Sequence, residues 1–411
     1  MSAAAPGDPD EGVFAAWLAE RIGAYARRQI GEDEDPVAWG LDSVALLGLF
    51  GDIEEAFGPL LEPADLWAHP SVRDLARHLA MRHAMGRNSG RVRAVFAFTG
   101  QGCQHPRMTA GLYEELSGYR HHLAEADEAI APYLGRSVRE LILDGDPRVH
   151  QTALTQPALF AVGYALAMTL VRAEGVRPVA VLGHGTGEVA AAVVAGALSL
   201  DDAARLVCFR GAYMQHLPSG GGMMATCASP WEAADAAAAE PEVSIGAFNA
   251  ARATVLTGAV DGLERVRERL AAIGIASTFL PVTHAFHSPL MEPVKDRFEA
   301  AARHLTGRTP TLPYYSTVYG RQYVQPLTAG YWTDQITAPV RFADAARHML
   351  AQQAPSHVVE IGPKAVLTPF LRRMAGTGGP TCLAVCRSPE TNAVDLAGVL
   401  SKLNAGPLAE L

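Results

Sequence analysis

The sequence predicts an α/β protein with an N-terminal all-α bundle, and three observations carry that prediction. Residues 1–85 hold six Arg, no Lys and fifteen Asp or Glu, a net of −9, which equals the formal charge of the whole 411-residue chain. The remaining residues are neutral overall, so a small acidic module precedes a larger neutral one. Apolar residues recur at helical spacing within the acidic stretch, whereas from Arg93 onward short apolar runs alternate with Ala-rich helical segments. That alternation is the pattern of a parallel sheet covered by helices.

In the acidic module, Phe14, Trp17, Leu18, Ile22 and Tyr25 predict a helix over 13–30. Leu46, Leu47, Phe50, Ile53 and Phe57 form the stripe of a second helix over 43–57, ended by Gly58 and Pro59. A further helix is predicted at 72–85, giving a three- or four-helix bundle over 1–85, with a flexible linker at 86–92. In the body, 93–411, apolar runs at 94–98 and 179–182 read as buried strands, the second followed by a helix over 188–197. Between 222 and 286 the predicted order is strand 222–227, helix 230–240, strands 242–248 and 254–257, helix 262–273, strand 277–282. That βαββαβ order is ferredoxin-like and marks a subdomain inserted in the α/β body.

Composition narrows the function classes. The net charge of −9 disfavours a nucleic-acid or polybasic membrane binder. Five cysteines without a CxxC pair, and no His-rich spacing, give no metal motif and fit a reducing cytoplasm. No apolar run reaches the ~18 residues of a membrane span, and the N-terminus is acidic where a signal peptide is basic. The expectation is a cytoplasmic protein.

Ser43 stands where a loop becomes a helix, and an N-cap is the plainest reading of such a serine. Its setting, Gly40-Leu41-Asp42-Ser43 in a small acidic bundle, resembles the acyl carrier protein family. The resemblance implies that Ser43 carries 4′-phosphopantetheine, installed by a phosphopantetheinyl transferase. A phosphodiester suits the unpaired N–H groups and positive dipole end of a helix N-terminus. Asp52, Glu54 and Glu55 would give partner enzymes an electrostatic handle.

The body carries seven ordered motifs: Phe98-Thr-Gly-Gln-Gly-Cys-Gln104, Thr155-Gln-Pro-Ala-Leu-Phe160, Gly183-His-Gly-Thr-Gly-Glu188, Phe209-Arg-Gly211, His284-Ala-Phe-His-Ser-Pro-Leu-Met291, Tyr331-Trp-Thr-Asp-Gln335 and Glu360-Ile-Gly-Pro363. Together they resemble the malonyl-transacylase family and the acyltransferase domains of modular polyketide synthases, which implies an α/β-hydrolase-like fold. The resemblance makes His287 the general base, Gln335 the residue whose backbone carbonyl orients it, and the N–H groups of Gln101 and Thr186 the oxyanion hole. It makes Arg210 the clamp on a malonyl carboxylate, a task suited to a bidentate guanidinium, with His184 helping. Phe286 matches the malonyl-selecting form of its motif, so malonyl-CoA or a carrier-bound acyl group is the implied substrate. Other synthase proteins and carrier domains are the implied partners.

One departure dominates. Where the family has a nucleophilic serine, this chain has Gly185, which fits a tight strand-to-helix turn but offers no oxygen. Losing the nucleophile of a comparable protease costs roughly a millionfold in turnover. Thr186 is the nearest hydroxyl, one residue along the turn and so aimed elsewhere. Three readings follow: a serine replaced to block turnover, a natural non-catalytic platform, or another reaction on a carrier-bound acyl group, such as hydrolysis through His287. Each predicts a carrier fused to an acyltransferase fold, acting in trans in polyketide assembly.

Overall fold

The computed structural model describes residues 11–31, 33–34, 43–57, 60–61, 65, 69, 71–88 and 92–403. It divides into two compact units, Met1–Arg91 and Val92–Leu411.

In the first unit, α1 (Glu11–Ala26), α2 (Ser43–Phe57) and α3 (Val72–Asn88) enclose Phe14, Leu18, Ile22, Leu49, Ile53, Leu75 and Leu79. Phe57 closes the core, its ring 4.8 Å from Phe14 and 4.9 Å from Trp17. Three expectations need correction. Helix α1 stops at Ala26 rather than running to 30, because Arg27 takes φ 54° and the Arg28 N–H turns back to the Gly23 carbonyl at 3.2 Å. That is a Schellman-type stop formed by a non-glycine residue. Leu49, absent from the expected stripe, is fully buried along with Ile53, whereas Phe50 is only partly buried. Helix α3 runs on through Gly86 to Asn88, since one helical glycine costs only about 1 kcal/mol. Of the expected linker, 89–91 lie outside the described residues, as do Gly40, Leu41 and Asp42.

The second unit is built on a six-stranded sheet. Strands β1 (Ala94–Phe98), β2 (Pro178–Gly183), β7 (Tyr314–Ser316), β9 (His357–Ile361) and β10 (Thr381–Ala384) pair in parallel, in the order β10-β9-β1-β2-β7. The antiparallel β8 (Arg321–Tyr323) edges β7. Every residue of β1 is buried, as expected of a central parallel strand with helices on both faces. A second sheet, ordered β4-β5-β3-β6, is antiparallel throughout. It comprises β3 (Gly221–Thr226), β4 (Val243–Ala250), β5 (Ala253–Ala259) and β6 (Ser277–Phe279), with helices Pro230–Ala237 and Val260–Ala272 following β3 and β5. The order of elements is the ferredoxin-like one read from the sequence, with boundaries moved by a few residues; the strand pairing is added by the structure.

Helix α5 (Thr152–Met168), preceded in this unit by α4 (Ser117–Leu134), is apolar on every side and lies in the core. With its continuation to Ala173 it spans 22 residues, long and apolar enough to cross a membrane, contrary to the expectation from apolar runs. Its most apolar window is 83% buried inside the body, which is the property of a core helix.

Candidate active site

The site forms where β1 and β2 end side by side. Phe98 and Gly183 are register partners, and the His184 N–H donates to the Phe98 carbonyl at 2.9 Å. The chain after β1 makes the loop 99–104, and the chain after β2 makes a sharp turn into α6 (Gly187–Val194). Ligands of open α/β sheets gather at such carboxyl ends of adjacent strands. The turn needs its last glycine for space: a Cβ on Gly187 would lie 2.5 Å from the Phe98 carbonyl oxygen.

Gly185 is different. It has φ 54°, the strained conformation of a nucleophile elbow, yet a Cβ there would meet no backbone. Its nearest neighbour would be the His287 Nε2, at 3.4 Å. The elbow therefore aims residue 185 at His287 although residue 185 has no side chain.

His287 sits on the loop before the 3₁₀ turn Pro289–Val294, buried and with φ 60°. Its Nδ1 lies 2.9 Å from the Ala338 carbonyl, and the main chain of Gln335 is a further partner. A carbonyl can only accept, so Nδ1 carries the proton and Nε2 presents its lone pair toward Gly185. The expected orienting carbonyl was that of Gln335; the short hydrogen bond goes three residues further, to Ala338. Burial, with Arg210 and His184 nearby, holds His287 down at about 3, so the ring is neutral.

The Gln335 side chain has work of its own. Its Nε2 donates to the Gly185 carbonyl at 3.0 Å and to Glu188 at 2.6 Å. Glu188, on the first turn of α6, is fully buried and also accepts from the Thr317 N–H and hydroxyl and the Tyr331 hydroxyl. Burial still pushes its carboxyl up to about 7. Glu188 stands in the elbow motif, but its motif position says nothing of partners 129 to 147 residues away.

Arg210, on α7 (Leu200–Gln215), is 2% exposed. Its Nη1 donates to the Thr186 hydroxyl at 3.1 Å, while its buried Nε has no partner. Burial lowers it to about 10, with Glu188 the opposing charge. The arrangement leaves a desolvated cation with donor capacity to spare, which calls for an anion. The Thr186 hydroxyl accepts from Arg210 and makes no hydrogen bond to His287, so no base activates it as a substitute nucleophile. Among the described residues, the Gln101 and Thr186 N–H groups have no acceptor in the chain, leaving both available to a developing oxyanion.

His184 and Phe286 hold less expected positions. His184 Nε2 lies 2.8 Å from Asn249 Oδ1 on β4, so the ring is braced by the ferredoxin-like subdomain rather than left for a substrate carboxylate. Nothing in the sequence marked Asn249. Phe286 is buried, and its carbonyl accepts from Thr257 on β5 at 2.8 Å, which ties the His287 loop to the same subdomain. Two groups of side chains carry metal-ligand types that sequence spacing did not reveal, Asp65/His69/His78 and His121/His122/Glu125. In the second, Glu125 already pairs with Arg172 at 3.6 Å.

An elbow, a neutral histidine behind it, two unpartnered N–H groups and a buried arginine define the class of α/β proteins that handle acyl groups. The chain belongs to the acyl transferase domain family, whose model matches residues 95–400, and a model described as a phosphopantetheine attachment site matches residues 15–79. It is therefore a carrier joined to an acyltransferase of the malonyl-CoA:carrier transacylase type by family and fold. The polyketide synthase GfsB of Streptomyces halstedii is 37% identical over 302 residues, 72% of this chain but 5% of that synthase. The chain thus spans a small fraction of the relatives' length. The acyltransferase domain of the second module of the salinomycin polyketide synthase matches with TM-score 0.71 and 35% identity, covering 80% of each chain. The malonyl CoA-acyl carrier protein transacylase of Clostridium perfringens matches with TM-score 0.68 and 25% identity, covering 76% of this chain and 97% of that one.

Proposed function

We propose that this chain acts in polyketide biosynthesis as a carrier whose acyltransferase body grips malonyl-type thioesters without forming an acyl–enzyme ester. One observation carries the reading: Gly185 faces the His287 Nε2 at 3.4 Å from its Cβ position, with no hydroxyl to acylate. Arg210 would hold the free carboxylate of the acyl group through its unpartnered donor. Phe286 would narrow the space beside the acyl α-carbon, a methyl being worth about 1–3 kcal/mol in an apolar pocket.

Ser43 is the first residue of a 15-residue helix, and the N–H groups of that first turn suit a phosphodiester, so the residue fits 4′-phosphopantetheine. The group supplies a thiol that holds acyl chains as thioesters, and a phosphopantetheinyl transferase would install it. The carrier would then present its load to separate synthase proteins.

Intact-mass measurement tests this. The chain treated with malonyl-CoA should show no acyl adduct, while Gly185→Ser should gain one malonyl group. A restored serine that stays unacylated defeats the reading. Treatment with a phosphopantetheinyl transferase should add one phosphopantetheine, lost in Ser43→Ala.

A further inference from the structure

We infer that the acyltransferase body hydrolyses malonyl-type thioesters directly, with a water molecule deprotonated by His287 taking the place of the absent serine hydroxyl. The inference rests on the reading that Arg210 and His287 bind and face such an acyl group.

Four observations carry it. A serine at 185 would fill the space between the Gly185 Cα and the His287 Nε2 with a hydroxymethyl group; with glycine no side chain of residue 185 occupies that space. A hydroxymethyl group and a water molecule have similar volumes, about 30 Å³ in the liquid. The Nδ1 bond to Ala338 fixes the tautomer that points a lone pair into that space. The Gln101 and Thr186 N–H groups have no acceptor, so a thioester oxygen lying between them would complete both. Among the described residues, neither nearby nucleophile is activated: the Thr186 hydroxyl accepts from Arg210 and has no bond to His287, and Cys103 is buried, bonded to Thr99 and the Gly100 carbonyl, and pushed up to about 12.

The step balances without an acyl–enzyme. The water oxygen bonds to the thioester carbonyl carbon as its proton passes to His287 Nε2, and the carbonyl electron pair moves onto the oxygen held by the two N–H groups. Collapse of that oxyanion breaks the C–S bond, and His287 returns the proton to the departing sulfur. The products are a dicarboxylate and a free thiol. The acyl carboxylate has a second effect. The Arg210 cation is one of the groups that hold His287 down, so a carboxylate on Arg210 relieves that repulsion and strengthens the base. Malonyl thioesters should therefore exceed acetyl thioesters in kcat, and not only in KM.

The test follows thiol release and dicarboxylate formation by the full chain in two arms that separate the thioester sources. One arm offers malonyl-CoA to the chain with unmodified Ser43; the other follows the chain whose Ser43 bears malonyl-phosphopantetheine. Hydrolysis in at least one arm should exceed buffer by about 10⁵-fold or more, the 10³–10⁴-fold that an oxyanion hole and binding alone leave multiplied by the about 10²-fold or more that a positioned base adds. It should fall a further 10²-fold or more in His287→Gln. Thiol release at the buffer rate in both arms, while Gly185→Ser is acylated by the same malonyl-CoA, overturns the inference and leaves malonyl recognition standing. An unacylated Gly185→Ser overturns both. Release unchanged in a folded His287→Gln chain also overturns the inference.

Discussion

Two pairs of buried charged or titratable groups in the body differ in how they are satisfied. Glu188 and Glu360 are 0% and 1% exposed, and their oxygens are surrounded by donors. Glu360 accepts from the N–H groups of Val366, Leu367 and Thr368 and from the Thr368 hydroxyl at 2.5–2.7 Å, capping the start of the helix Thr368–Ala375. Arg210 and His287 are nearly as buried, at 2% and 9%, yet each keeps a polar atom without a partner or turned toward residue 185. Burial is thus common to both pairs, and what separates framework from site is unfinished hydrogen bonding.

The largest effect that could break this contrast comes from the satisfied pair. Glu360→Ala strands three backbone N–H groups, those of Leu367 and Thr368 in the interior and that of Val366 part-buried, and Glu188→Ala strands donors from Thr317, Tyr331 and Gln335. Each should lose about 3–5 kcal/mol, read as a lower urea midpoint at constant slope. A loss below about 1 kcal/mol would show that these carboxylates are not framework.

Removing Arg210 should do the reverse. Arg210→Met takes away a buried cation that no carboxylate bonds, so stability should stay level or rise. Affinity for a malonyl thioester should fall by about 2–5 kcal/mol, some thirtyfold or more in Kd, while acetyl thioester affinity barely moves. Calorimetry with both thioesters reads this. A destabilised Arg210→Met chain that still prefers malonyl would place Arg210 with the framework.

The sequence made much of this legible because the chemistry is written locally. The elbow is six consecutive residues, and Gly185 announces itself as a missing oxygen within a motif otherwise intact. Strand and helix order in the inserted subdomain follows from alternating apolar runs. What was hidden depends on distance along the chain. The Ala338 carbonyl lies 51 residues from His287, and Asn249 lies 65 residues from His184. Neither a backbone carbonyl nor a lone asparagine in a strand has a motif. The early stop of α1 was hidden for another reason: it uses an arginine in the left-handed region, where sequence rules look for glycine.

The smallest effect sharpens the comparison by pH. Glu188 is raised to about 7 in the fold from an ordinary 4.5, so the folded state binds more protons between those values and stability falls as pH rises through them. His287 is lowered to about 3 from 6.5, so the unfolded state binds more protons between 3 and 6.5 and stability rises with pH there. The two slopes oppose each other between about 4.5 and 6.5, each at most about 1.4 kcal/mol per pH unit. His287→Gln removes one of them. The stability of the parent chain minus that of His287→Gln should therefore increase as pH is raised from 3 to 6.5, then level off. With a malonyl thioester bound, the Arg210 charge is offset, His287 rises and the same difference should become shallower. Urea titrations of both chains across that range, with and without the thioester, measure it. A difference that is flat with pH, or unaltered by the thioester, would mean that His287 is satisfied in the fold as fully as Glu360 is.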